Sequence, residues 1–205
     1  MNDQQSVSHL TLTVVPGKLS LFTTVLQSGI EIMTPAGTSL GQFLSALPGF
    51  SAEYLANTVQ TIFHNGIAVD DLTTVFAGDR PVLALSAAMP GLAGAIFRKN
   101  SFHAALRSEI KGLQAPSHQA QLLVVTLKLF NTIAQDRGKE LFGSGVSLPT
   151  EVLSSFLNKR PNLIKAIVGI RLEGKDISLD TLMPMLTLPL KINLKILEET
   201  TIANG

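Results

Sequence analysis

The residue types that most often carry catalysis are sparse in this chain and are not grouped. The chain has four histidines, His9, His64, His103 and His118. None of them has the partner one helical turn away, or the acidic neighbour, that a helical metal site needs. His64 precedes Asn65-Gly66, a hairpin turn signal, and is therefore predicted to be solvated. The histidine pattern predicts no metal site.

Other catalytic groups are also missing from the sequence. Asp70 and Asp71 are adjacent, whereas paired acid–base carboxylates usually face each other from separate elements, so a turn is predicted there. The chain has no cysteine, which excludes thiolate zinc sites and cysteine nucleophiles. It also lacks the G-x-S-x-G elbow and the P-loop motif. We therefore predict no catalytic residue and no cofactor, and we expect a protein that is not an enzyme.

A cationic segment near the middle of the chain is the strongest candidate for a binding site. A helix is predicted from Asn100 to Gly112, in which His103, Arg107 and Lys111 share one face at four-residue spacing. Arg98 and Lys99 add to the same positive ridge. Three interpretations stay open: a solvated face, a dock for an acidic partner or anion, and self-association with the acidic first half.

An uncharged stretch, residues 81–97, precedes that segment. It is shorter than the roughly 20 residues that a membrane-spanning helix needs, and it contains Pro90. A buried strand, Val82–Ser86, followed by an apolar loop is predicted, with contact to a membrane surface as the alternative. An apolar loop beside cations is a common layout of a partner site. The predicted partner-binding residues are Met89, Pro90, Gly91, Gly94, Arg98, Lys99, His103, Arg107 and Lys111.

Composition limits the remaining classes of function. Of 205 residues, 45% are apolar and 15% are charged, which favours a folded core over disorder. Residues 1–90 hold two basic and six acidic residues, so a nucleic-acid partner is not expected. The first residues lack a signal-peptide pattern, and a cytoplasmic protein is therefore expected. A protein partner is predicted, and a homo-oligomer stays possible.

The chain repeats itself at an offset of 108 residues. KLSLFTTVLQ from Lys18 matches TLKLFNTIAQ from Thr126, Ser39-Leu40 matches Ser147-Leu148, and Gly66 matches Gly174. Each copy orders its signals as strand, strand, helix, strand, strand, with Thr38 or Ser39, and Ser147, as candidate N-caps. PLKINLKIL, from Pro189, alternates most clearly and predicts a closing strand. This order predicts an α+β fold with a helix across one face of a sheet.

The two copies resemble the ubiquitin-like β-grasp fold, in its sulfur-carrier branch. That branch includes the small subunit of molybdopterin synthase and the thiamine sulfur carrier. The first copy carries the resemblance in Phe63-His64-Asn65-Gly66, Val69-Asp70-Asp71-Leu72, Thr74-Val75, Gly78-Asp79 and Val82-Leu83-Ala84-Leu85. The second carries it in LKLF, GVSLPTEVLSSFL and LEGKDISLDTL. The resemblance implies two tandem β-grasp domains, at residues 9–96 and 122–198, with a helical connector at 97–121.

The chain departs from these carriers where their chemistry occurs. The family works through a free C-terminal Gly-Gly, which is adenylated and converted to a thiocarboxylate. Here the first copy runs on through Met89–Ala95 with separated glycines, and the sequence ends in Asn204-Gly205. The predicted function is therefore non-catalytic protein binding, and the alternative is sulfur carriage or assembly in molybdopterin- or thiamine-type cofactor biosynthesis.

Overall fold

The computed structural model describes residues 7–89, 91–102 and 121–200. The strands are β1 (Ser8–Val14), β2 (Ile30–Pro35), β3 (Thr61–His64), β4 (Ile67–Ala68), β5 (Val82–Ser86), β6 (Leu122–Leu129), β7 (Val146–Pro149), β8 (Ile167–Leu172), β9 (Lys175–Asp176) and β10 (Lys191–Glu198). The helices are α1 (Leu40–Ser45), α2 (Ala52–Asn57), α3 (Gly91–Phe97), α4 (Asn131–Ser144), α5 (Thr150–Asn158), α6 (Pro161–Ile164) and α7 (Leu179–Met185). A 3₁₀ helix covers Leu19–Gln27. The mixture of helices and strands agrees with the predicted fold class.

Contacts divide the chain into two compact units. The central unit is Gly29–Arg137, and the terminal unit joins Met1–Ser28 to Gly138–Gly205. These units do not coincide with the segments predicted at residues 9–96, 97–121 and 122–198. The physical reason is strand pairing: β1 pairs with β10 and β8, whereas β6 pairs with β2 and β5. Strand β1, from the first sequence copy, therefore belongs to the terminal unit with strands of the second copy. Strand β6, from the second copy, belongs to the central unit with strands of the first copy.

The central unit has five strands in the order β4-β3-β5-β6-β2. β5 and β6 are parallel, and the other neighbours are antiparallel. Side chains alternate along β6, with Leu123, Val125, Leu127 and Leu129 buried on the core face. Helix α1 begins with a capping box in which Ser39 and Gln42 satisfy each other's backbone amides, as the N-cap prediction required. Phe43 of α1 meets Phe76 edge-on at 5.1 Å, and Phe76 meets His64 at 5.6 Å, so α1 packs on the core face.

The terminal unit has five strands in the order β7-β10-β1-β8-β9. β1 lies between β10, which is parallel to it, and β8, which is antiparallel. Its inward side chains Leu10, Leu12 and Val14 are fully buried. The prediction of a strand around Leu19 and Leu21 is wrong, because these residues belong to the 3₁₀ helix. Residues three apart, Leu19, Phe22 and Val25, are buried there while Leu21 is exposed.

The 108-residue offset describes one part of the fold and fails in another. Asn65-Gly66 and Glu173-Gly174 form turns of the same backbone conformation, with φ of 51° and 81° in the first and 49° and 76° in the second. Two successive positive φ values are those of a type I′ hairpin turn. In contrast, Ser39 caps a helix while Ser147 lies inside β7, so the predicted second cap is wrong.

Candidate functional site

The predicted partner-binding residues fall partly within the described chain. Pro90, His103, Arg107 and Lys111 lie outside the described residues. The segment Met89–Ala95 was predicted as a loop, but Gly91–Phe97 forms helix α3. Its apolar sequence and absence of β-branched residues except Ile96 allow a helix, and the chain turns again at Asn100, where φ is 55°.

Helix α3 presents an apolar surface. Leu92 is 70% exposed on it, and Phe102, a few residues beyond its end, is 95% exposed. Single exposed apolar side chains are common on protein surfaces, and these two are of interest because both lie on the segment that contains Arg98. Phe97, in contrast, packs against Phe63 of β3 at 5.3 Å between ring centroids and attaches α3 to the sheet.

The two described cations of the predicted site differ in their surroundings. Arg98 is exposed. Lys99 is half-buried; its Nζ donates to the carbonyl of Leu55 at 2.7 Å, and its backbone N–H donates to the carbonyl of Gln60 at 2.6 Å. Burial lowers the pKa of Lys99, and the charge of Asp70 partly opposes that shift. Lys99 therefore holds α3 to the central unit, whereas Arg98 lies on the exposed surface of the same segment.

Gly94 and Met89 are close to each other at the start of α3. Gly94 is buried, and a Cβ added to it would overlap the carbonyl of Met89. The glycine is thus required by close packing of the backbone. Met89 itself lines a cavity under this segment.

That cavity lies in the central unit and has a volume of about 450 Å³. Its walls come from β3, β5, the end of β6 and the start of α4. The lining residues are Phe63, Gly66, Val82, Ala84, Leu85, Ser86, Met89, Phe130 and Asn131. A cavity of this size with few polar groups is typical of a binding site for a small molecule or a single large side chain. No local sequence pattern indicates this cavity, because residues from four separate elements form its wall.

The sequence-predicted polar residues are placed away from this cavity. His64 was predicted to be solvated, and this is wrong: it is fully buried on the core face, where its Nε2 accepts the N–H of Ala77 at 3.4 Å. Burial lowers the pKa of His64. Asp71 forms the predicted turn, in which its carboxylate accepts from the hydroxyl and the amide of Thr73, and these bonds lower the pKa of Asp71. Neither residue faces a substrate-sized space.

A second polar cluster of the central unit joins α2 to the first turns of α4. The hydroxyl of Tyr54 donates to Asp136 at 3.2 Å, and Arg137 lies over the Tyr54 ring at 4.3 Å while donating to the carbonyl of Gly49. Burial, with the nearby charge of Asp136, raises the pKa of Tyr54 to about 12. A phenol with this pKa is protonated near neutral pH and cannot act as a general base there, so we interpret the cluster as a structural connection.

Metal binding and membrane insertion find no support in the described part of the chain. Among residues 7–89, 91–102 and 121–200, no group of three or more acidic or histidine side chains could hold a metal ion. None of the helices in these ranges combines the length and the apolar character needed to cross a membrane. The chain matches no protein-family model, and no curated protein or solved structure matches it.

Proposed function

We propose that this chain is a non-catalytic binding protein of the ubiquitin-like β-grasp type, which engages a protein partner through the surface of α3. The central unit supports the β-grasp assignment in three ways. Helices α1 and α2 lie between β2 and β3 in sequence, α1 packs on one face of the sheet, and β3 and β4 meet at the predicted Asn65-Gly66 turn. In the sheet of the central unit, β6 lies next to β2 and completes the β-grasp arrangement of strands.

The exposure of Leu92 and Phe102 carries the functional proposal. Both side chains are apolar, both lie on the segment that contains Arg98, and their exposed fractions are 70% and 95%. Apolar side chains at the centre of a binding surface supply affinity, and a neighbouring charge orients the partner. The partner that fits this surface has an apolar patch bordered by acidic residues.

Sulfur carriage fits the observed surroundings of Gly94 less well. A carrier must present a free, extended glycine tail to its activating enzyme. Here Gly94 is buried within α3, under the carbonyl of Met89, and the chain continues beyond it. Detection of an acyl adenylate or a thiocarboxylate on Gly205 by mass spectrometry of the intact chain would nonetheless restore carriage as the function.

A capture experiment with matched variants tests the binding proposal. A double variant, Leu92→Ser with Phe102→Ser, should lose the partner, and Arg98→Glu should weaken it. The control double variant, Met33→Ser with Leu188→Ser, also removes two exposed apolar side chains and should retain it. Arg80→Glu, at another exposed arginine, is the matched charge control.

Quantitative mass spectrometry of the captured proteins decides the result. We expect a defined set of proteins that is lost with the α3 variants, kept with both controls and reduced as salt rises. A set that responds equally to the α3 and the control variants would refute α3 as the binding surface.

A further inference from the structure

The cavity of the central unit has one polar end. The described part of its wall is apolar except at Ser86, where β5 ends, and at Asn131, where α4 begins. The Asn131 side-chain amide donates to the Ser86 Oγ at 2.9 Å. This bond uses an acceptor position of the Ser86 hydroxyl and leaves its O–H able to donate.

A second buried hydroxyl lies next to this end of the cavity, although it is not part of the lining. Thr61 of β3 lies directly opposite Ser86 of β5, so their side chains share a sheet face. Thr61 is 1% exposed, and its Oγ1 has no hydrogen-bond partner among the described residues. Buried hydroxyls without a partner are rare in folded proteins.

The start of α4 favours an acceptor at the same place. The helix has 14 residues, and Asn131 at its beginning lines the cavity. Amides in the first turn of a helix have no partner within it, and together they carry a partial positive charge. The polar end therefore offers the Ser86 hydroxyl as a donor, beside the start of a helix.

The net charge of the ligand follows from the remaining wall. Among the described residues that line the cavity, none is charged. A carboxylate buried there would lose its hydration without gaining a counter-ion, which is unfavourable. A neutral carbonyl oxygen accepts hydrogen bonds without that cost.

We infer that the cavity binds a small neutral molecule with an apolar body and one hydrogen-bond acceptor, such as a ketone or an ester. The apolar body lies against Phe63, Ala84 and Phe130, and the acceptor lies beside Ser86. A volume of about 450 Å³ corresponds to roughly 15 water-sized units, which suits a ligand of about ten to fifteen non-hydrogen atoms. This site is separate from the exposed side chains of the proposed partner surface.

Three probes that share a phenyl ring and a short alkyl chain test the inference. Benzylacetone carries a ketone, butylbenzene carries no polar group, and phenylbutyrate carries a carboxylate. Saturation-transfer NMR on the full chain should show saturable binding of benzylacetone. Because one hydrogen bond contributes modestly in net terms, we expect butylbenzene to bind roughly three- to tenfold more weakly. Phenylbutyrate should also bind more weakly than benzylacetone, because its carboxylate would lose hydration without gaining a counter-ion.

Two variants locate the binding. Ser86→Ala should weaken benzylacetone by roughly three- to tenfold and leave butylbenzene unchanged. The matched control, Ser154→Ala in the terminal unit, should change neither. Ala84→Leu should fill the cavity and abolish binding of both probes; if that variant does not fold, Val82→Phe serves the same purpose.

Five outcomes would overturn the inference. They are absence of saturable benzylacetone binding, binding that survives a folded cavity-filling variant, equal affinity for butylbenzene, insensitivity to Ser86→Ala, or tightest binding of phenylbutyrate. The last would show that the cavity prefers an anion.

Discussion

Replacing Leu12 by alanine should lower the stability of the terminal unit against local unfolding and leave the stability of the central unit unchanged. Leu12 is the middle inward residue of β1 and is 0% exposed. It faces Ile196 of β10 and Ile170 of β8 in the strand register, both of which are buried. Truncating a fully buried leucine to alanine costs about 2 to 5 kcal/mol, because transfer free energy is lost and a cavity remains.

The size of the effect is measurable by hydrogen exchange. A loss of about 3 kcal/mol raises the open fraction of the unit by roughly 150-fold. Amides whose exchange requires opening of that unit should speed up by a similar factor. We expect this in β8 and β10, read by mass spectrometry of peptides that cover residues 167–172 and 191–198.

A crossed control makes the result specific. Leu127 of β6 is also 0% exposed, and it faces Ile30 of β2 and Leu83 of β5. Leu127→Ala should therefore accelerate exchange in residues 30–35 and 82–86. If Leu12→Ala instead accelerates residues 30–35 and 82–86, then β1 belongs with the first sequence copy, and the strand pairing described above is wrong.

Three further predictions follow from single residues. Because burial lowers the pKa of His64 below 6.5, protonation favours the unfolded chain, and stability should fall as pH drops below about 6.5. The urea midpoint of unfolding should therefore be lower at pH about 5.5 than at pH about 7.5. His64→Leu should remove this difference in midpoint, and His9→Leu should keep it. Tyr54 is the chain's single tyrosine, so phenolate absorbance reports on it alone and should be small near pH 11. Asp136→Asn should lower the pKa of Tyr54 from about 12. Ionisation of Tyr54 near pH 10 would contradict the described contacts. Gly66→Ala and Gly174→Ala should each cost about 1 to 2 kcal/mol by thermal unfolding, because positive φ is strained while nothing lies within 4 Å of the added Cβ; a much larger loss at one site would show that the turns differ.

Local signals in the sequence were sufficient for several elements. The strand Val82–Ser86, the alternating strand that became β10, the Ser39 cap and the Asn65-Gly66 turn were each predicted from residues within a few positions of one another. Such features depend on backbone preference and on side-chain alternation, which neighbouring residues determine.

Features that depend on distant residues were missed. Leu19 and Leu21 alternate like a strand, but buried Phe22 and Val25 show that spacing by three decides the local structure. In β3, Phe63 is half-buried and His64 is fully buried, because Phe76 packs against the His64 ring on that face of the strand. The residues next to His64 in sequence do not indicate which face is buried. The cavity needs β3, β5, β6 and α4 together, and the pairing of β1 with β10 joins residues more than 180 positions apart. No short pattern specifies these contacts.

Photocrosslinking from α3 and from the residues just after it tests the binding proposal most directly. A benzophenone amino acid placed at Phe102, and separately at Leu92, would be irradiated in cells that produce the full chain. The same group at Met33, which is 72% exposed, is the control. We predict that positions 92 and 102 capture the same protein, that Arg98→Glu reduces the capture, and that position 33 does not capture it. Capture of that protein equally well from position 33, or of no shared protein from positions 92 and 102, would contradict the proposal.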